Sequence, residues 1–432
     1  MHERTSEATV TLTRRRLLTA AGAVTAAGFV TAVSARRAAA DSALSPVTLG
    51  TQPPGLPERQ HAWTRWLHRD EFGNPVAPRF DRLLFFDVRR RPTADHAALL
   101  ESRLRTLERR FRWGPDGLLF TVGYGPDYFT NVLGADSPLS RATRLSSFES
   151  PAIDHHHVCI HLACDNQQRL LEIEAALVRG RPLTGVTGPL SLTPILTWRE
   201  TRTGFTGPGL PRAHQRVAGL GTKAAIPSDA PLFMGFKSGL VKNQASEDAI
   251  TIPDGDFAQG TTMQVSYMRL RLAQWYDDLS PADRVALMYS PQTTVAAARR
   301  FTTDASGQPN RIIEAITHHG VVGHAQASAQ ARRHQRPIMI RRDFDTVDGG
   351  HAGLHFVSLQ RSIQDFVVTR NAMNAAEAHN INREITATTN NGINAFIDVR
   401  RRATYILPAR TRRSFPLLPA SGRLPSARGR DL

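Results

Sequence analysis

Lysine is nearly missing from this chain. Its 432 residues hold three, Lys223, Lys237 and Lys242, among 54 basic residues, so arginine carries almost all the positive charge. Cysteine is as scarce: Cys159 and Cys164 are the only two. That excludes a disulfide framework. Five residues apart in a strand-like run, they point to opposite faces and cannot bond each other without distortion. After residue 40 no run approaches the length needed to span a bilayer. Acidic residues number 38, leaving a formal charge of +16. Residues 1–40 contribute six basic and two acidic residues, so the remainder still carries +12. Such a surface favours anionic partners, yet no nucleic-acid recognition module is present, and nucleic acid is not an expected partner. With 21% charged and 41% hydrophobic residues, the chain is neither disordered nor fibrous. Its length supports two or three domains, each with its own core.

The N-terminus reads Thr13-Arg14-Arg15-Arg16-Leu17-Leu18, then a weakly apolar Ala/Gly/Thr run, then Arg36-Arg37 and Ala38-Ala39-Ala40 before Asp41. It resembles a twin-arginine export signal over residues 1–40 with an Ala-x-Ala cleavage site. An N-terminal membrane anchor is the competing reading. Export would leave a mature protein outside the cell or in its envelope, with no transmembrane segment. That route carries folded proteins, often with a cofactor already loaded.

Past a Pro/Gly-rich leading segment, a strand is expected over Arg82–Val88. A helix comes next, capped by Thr93, with Leu100, Leu104, Leu107 and Phe111 on one face. Leu118–Tyr124 and His155–Ala163 read as strands, Asn166–Val178 as a helix and Pro194–Thr203 as a strand. This is the order of a ferredoxin-like unit. The second half repeats the logic: a strand at Thr261–Leu270, a helix start at Ser280-Pro281, a strand at Gly353–Gln360, helix-compatible residues to about Glu377, and a closing strand at Thr404–Leu407. The fold class is therefore α+β, with domains over 41–225 and 226–408. The Pro/Arg-rich tail 409–432 is expected to be disordered.

Three stretches offer chemistry. In Phe233–Asn243, Gly235 and Gly239 bracket Ser238. Glycine there admits positive φ and a close approach to the backbone, so the loop either turns a corner or holds a ligand. His155, His157, Cys159 and His161 alternate along one strand face, which invites zinc or copper; side chains spread along a strand do not converge without a partner loop. His318, His319 and His324 lie near the end of a possible helix within Ala315–Gln330, ahead of Arg341-Arg342 and Leu354-His355-Phe356.

Taken in order, these stretches resemble the dye-decolourising haem peroxidases, a family with a dimeric α+β-barrel fold made of two ferredoxin-like units. Gly123-Tyr124-Gly125-Pro126 is similar to a Gly-Phe-Gly-Pro segment of that family, and Arg202-Thr203-Gly204-Phe205 to a shared loop. Gly235-Phe236-Lys237-Ser238-Gly239 stands where the family has Gly-x-x-Asp-Gly. Gly323-His324-Ala325 is similar to the segment bearing the proximal histidine, Ile340-Arg341-Arg342 to that bearing the distal arginine, and Gly353 to Gln360 to a strand lining the distal pocket.

The resemblance implies haem b, with His324 as axial ligand to iron. Glu314 and Asp398 are the candidates to hold the ring's other nitrogen. Arg341 is the distal cation, with Arg342 as the alternate. Leu354 and Phe356 face the haem, His355 faces away, and Gly235, Phe236 and Gly239 complete the loop. Trp275, Tyr276 and Trp198 are either surface electron relays or core. The implied reaction consumes hydrogen peroxide and oxidises a bulky organic electron donor; a homo-oligomer is compatible. Ser238 departs from the family pattern, because serine replaces the carboxylate that shuttles the peroxide proton. Losing such a group costs ~10²–10⁴ in rate, roughly 3–5 kcal/mol of barrier. Two functions are implied: a weakened exported peroxidase, or a haem carrier, sensor or other oxidant without efficient peroxidase chemistry. A non-haem binding protein on the same fold is a third.

Overall fold

The computed structural model describes residues 44–49, 53–216, 225–237, 240–299 and 311–419. The expected export signal with its cleavage site, Ser238, Gly239 and the tail beyond Pro419 lie outside the described residues, as do residues 217–224, Lys223 among them, beside the expected domain boundary. The fold is that of the compact unit Pro46–Pro419; the other unit, Met1–Ser45 with Ala420–Leu432, is described only at Leu44 and Ser45.

The first half opens with β1, Phe80–Val88, whose apolar run is buried along most of its length. Helix α1, Ala94–Arg110, starts at Thr93, which accepts the His96 amide while the His96 ring accepts the Thr93 amide. Leu100, Leu104 and Leu107 are buried on one face, whereas Phe111 ends the helix instead of extending that face. Strands β2 (Leu119–Tyr124) and β3 (Val158–Cys164) come next. Helix α2, Gln167–Arg179, is capped by Asn166 and stopped by Gly180 in a left-handed conformation. Strand β4 is Leu196–Phe205. The antiparallel order β4–β1–β3–β2 is ferredoxin-like.

The second half builds the same order. It comprises β5 (Thr261–Leu270), α3 (Leu272–Asp277), α4 (Pro281–Met288), α5 (Ile312–His319), α6 (His324–Ser328), β6 (Met339–Arg341), β7 (Phe344–Thr346), β8 (Gly353–Gln360), α7 (Ile363–Asn374) and β9 (Ile397–Leu407). Strand β5 lies between β8 and β9, while β6 and β7 both pair with β8. One register runs through the break between them: Arg341 faces Ser358, Phe344 faces His355, and the Arg342 amide donates to the Val357 carbonyl at 2.7 Å. Residues 339–346 are therefore one extended strand in all but name.

The halves join at both edges. Asp345 of β7 pairs with Phe205 of β4, and Tyr124 of β2 with Ile406 of β9. The strand circuit closes, which removes the open sheet edges, and gives an α+β barrel. Its interior is filled by Leu83, Phe85, Cys159, Val265, Phe344, Val357, Leu359 and Tyr405. Each large apolar side chain buried there contributes about 1.5–3 kcal/mol. Among the described residues no helix is long and apolar enough to cross a membrane.

One expectation fails. The tail is not disordered from Ala409: Arg410, Arg413 and Phe415 are fully buried. Arg413 donates to Glu101 (3.1 and 3.2 Å) and to Glu108 (2.6 and 3.0 Å), and Arg410 also reaches Glu108. Two acids of α1 thus neutralise arginines whose composition reads as solvent-facing. The alternating residues His155, His157, Cys159 and His161 do not converge, in keeping with their spread along a strand, and each has its own surroundings. His155 pairs with Asp127 (2.9 Å), His157 accepts the Val88 amide (3.0 Å), His161 pairs with Asp81 (2.7 Å), and Cys159 is core.

Candidate functional site

Strand parity decides which side chains meet. On 339–346, odd-numbered residues Arg341, Asp343 and Asp345 face one side. Opposite them on β8, Leu354 and Phe356 face the same way. All five line one cavity, outside the barrel, whose other walls come from β5 and β9, α6, α7 and the 232–237 loop. The even-numbered residues turn inward. Phe344 joins the barrel core. Arg342 stacks on Trp63, 3.7 Å from the ring centroid, and donates to the His61 carbonyl. Burial pulls the Arg342 pKa down to about 9. Of the two candidate distal arginines, Arg341 is therefore the one at the cavity. His355 points away, buried beside Tyr267 and Phe344, with Asp348 3.4 Å from its ring.

His324 opens α6. The helix that carries His318 and His319 does not reach His324, because Gly320 turns left-handed (φ 62°) and stops α5. Gly323 then packs so closely on α4 that a Cβ would lie 2.0 Å from the Tyr289 carbonyl oxygen. Gly392 (φ 53°) covers the other side, where a Cβ would stand 3.1 Å from the His324 Cα. Held between these backbones, the imidazole lines the cavity. Burial, and then the charges of Arg341 and Arg370, lower its pKa to about 3, so it is neutral. Among the described residues neither ring nitrogen has a hydrogen bond. The two candidate partners are engaged elsewhere: Glu314 pairs with Arg311, and Asp398 with Arg400 at 2.6 Å.

Gln244 fixes the backbone of Arg341; its side-chain oxygen accepts the Arg341 amide at 2.8 Å. The Arg341 Nε is buried and has no partner. Asp345 Oδ2 accepts the Phe233 amide at 2.6 Å, while its Oδ1 and the Oδ1 of Asp343 are buried without partners. Burial drives the Asp345 carboxyl well above the usual carboxylate range; the Phe233 amide opposes this and Asp343 adds to it.

The Asp345 contact pins one end of the 232–237 loop. Tyr276 donates to the Phe233 carbonyl (2.7 Å) and the Trp275 indole to the Met234 carbonyl (3.0 Å). Gly235 takes φ 88°, and Phe236 lines the cavity, edge-on to Tyr289. Trp275 and Tyr276 are buried anchors of this loop, whereas Trp198 is exposed on β4.

Met268, Leu270, Ile397 and Val399 extend the apolar wall, and Arg332, Arg370 and Arg402 add cations. Arg402 and Arg370 share Glu149, which leaves the cavity with more positive than negative charge. A neutral imidazole with free nitrogens, an apolar slot and several arginines suit a flat apolar metal chelate bearing carboxylates. The residues present therefore fit haem.

Asp343 and Asp345 escaped sequence reasoning. Their signal was the alternation of charge at 341, 343 and 345 within a strand-length stretch, which reads as a loop when strands are sought by apolar alternation.

The barrel, with a cavity against the outer face of its C-terminal half, has the fold of the dye-decolourising peroxidases. A dye-decolorizing protein from V. cholerae matches at 14% identity, with 82% of this chain and 99% of that chain covered and a TM-score of 0.51. A DypB variant from Rhodococcus jostii RHA1, solved in complex with heme, matches at 13%, covering 82% and 98%, with a TM-score of 0.54. A dye-decolorizing peroxidase from Bacteroides thetaiotaomicron VPI-5482 matches at 12%, covering 81% and 97%, with a TM-score of 0.51. At these identities the likeness is one of fold. The chain itself belongs to DUF7405, a family of unknown function whose model matches residues 78–409. No curated protein matches it.

Proposed function

We propose that this protein is an exported haem peroxidase that uses hydrogen peroxide to oxidise bulky organic electron donors. The observation that carries the reading is the meeting, in one apolar cavity, of a neutral His324 with unbonded ring nitrogens and an Arg341 whose Nε has no partner. When bound, haem supplies an iron that exchanges electrons with peroxide. In this reading His324 would hold that iron with a ring nitrogen. The guanidinium of Arg341 would steady the negative charge that develops on peroxide. Leu354 and Phe356 keep water from the slot, and Arg332, Arg370 and Arg402 offer counter-charges for the haem carboxylates. Export by the twin-arginine route suits a protein loaded with its cofactor before it leaves the cell.

Ser238, in place of the family's carboxylate, favours a second reading: a haem carrier or sensor. The two are separated by adding peroxide and an anthraquinone dye to the haem-loaded protein. Dye bleaching that depends on peroxide and on His324 supports the peroxidase; haem uptake without bleaching supports the carrier. Absence of haem uptake removes both.

A further inference from the structure

We infer that Asp343 and Asp345 form the acid–base pair of this cavity and supply the carboxylate chemistry that Ser238 cannot. The inference rests on the peroxidase reading. Three observations carry it. The register of β6 and β7 against β8 puts both residues on the face that carries Arg341. Both line the cavity that holds His324. Each has a buried Oδ1 with no partner, and the Asp345 side chain is fully buried.

Asp343 and Asp345 lie two residues apart on one strand face; burial, and then the charge of Asp343, oppose ionisation of the Asp345 carboxyl. The direction of the Asp345 shift makes it the protonated member. Its Oδ2 is occupied by the Phe233 amide, so Oδ1 carries the proton. Asp343, on the same strand face and lining the same cavity, takes the part of the base. The proton balance closes within the pair. Asp343 takes the proton from the peroxide oxygen that approaches the iron, and Asp345 gives its proton to the other oxygen. When bound, haem would supply the two electrons that cleavage of the oxygen–oxygen bond consumes, and that oxygen would leave as water. A proton passing from Asp343 to Asp345 resets the pair. Arginine cannot take this part, because it does not deprotonate.

The test uses the full chain with Asp343→Asn, Asp345→Asn and the double variant. Asparagine retains an oxygen that can accept the Phe233 amide, so the 232–237 loop stays tethered. In the haem-loaded proteins, stopped-flow absorbance should show the double variant reacting with peroxide ~10²–10⁴-fold more slowly, with haem content and resting spectrum unchanged. In the haem-free proteins, infrared difference spectra should show a protonated-carboxyl band that Asp345→Asn removes and Asp343→Asn leaves. A double variant that reacts with peroxide as fast as the parent overturns the inference. So does a haem-free parent without a band assignable to Asp345. A parent that takes up no haem defeats the functional reading instead, and the infrared arm still decides which carboxyl holds a proton.

Discussion

Gly323→Ala puts the smallest possible side chain where the backbone of α4 leaves no room. An added Cβ would lie 2.0 Å from the Tyr289 carbonyl oxygen and 2.5 Å from its carbonyl carbon. Ordinary contacts are longer by more than an ångström, and the obstacle is backbone, which cannot rotate away. Either α6 or the end of α4 must shift by about that distance. Overpacking of this kind costs about 1–3 kcal/mol. His324 is the next residue, so the shift is passed straight to the imidazole. A displacement of about 1 Å at a functional group costs on the order of 10²-fold in function. The assays are urea unfolding of the haem-free protein and a haem titration followed by absorbance. The expected result is a stability loss within that range and haem affinity weakened at least tenfold, about 1.4 kcal/mol. Gly320→Ala is the control: its Cβ would meet the Glu384 carboxylate at 3.2 Å, the end of a flexible side chain, so it should cost stability through its positive φ and leave haem affinity nearly intact. If Gly323→Ala binds haem as the parent does, its packing on Tyr289 is not what positions His324.

The same geometry bears on other substitutions. Arg413→Met leaves Glu101 and Glu108 short of a buried partner and should lower stability by about 3–5 kcal/mol, measured by denaturant unfolding; a solvated tail residue would cost under about 0.5 kcal/mol. The Asp345 carboxyl keeps its proton in the folded chain at pH values where the unfolded chain has lost it. Stability therefore falls as pH rises above the ordinary aspartate value. Asp345→Asn should remove that fall, so the variant gains on the parent from about pH 4 towards neutrality, and parallel stability–pH curves would refute this. With Asp343 and Asp345 supplying the carboxylate, Ser238→Asp should leave the peroxide rate of the haem-loaded protein within about tenfold of the parent, read by stopped-flow; an acceleration of ~10²-fold or more would mean that the pair does not supply it.

Much of the barrel was legible in the sequence because its strands are apolar and cleanly bounded. Thr261–Leu270 and Gly353–Gln360 have the bounds expected for them. Strand β9 was read from Thr404 although it begins at Ile397, because Asp398, Arg400 and Arg401 interrupt the apolar run. The strand at 339–346 was hidden for a related reason. One of its faces lines a cavity instead of the core, so charged residues stand where a strand should be apolar. That same face carries the part of the site the sequence did not reveal. His324 and Arg341 could be picked out by resemblance to a family, but Asp343 and Asp345 needed the register. The buried tail was misjudged because composition says nothing of where Glu101 and Glu108 point.

Whether His324 holds haem in this cavity is decided by an absorption spectrum of the purified full-length protein after haem titration, taken beside His324→Ala. The parent should show a Soret band, with stoichiometric haem by pyridine haemochrome assay, that is lost or displaced in His324→Ala. A parent without haem, or a His324→Ala variant with the parent's spectrum, would contradict the assignment.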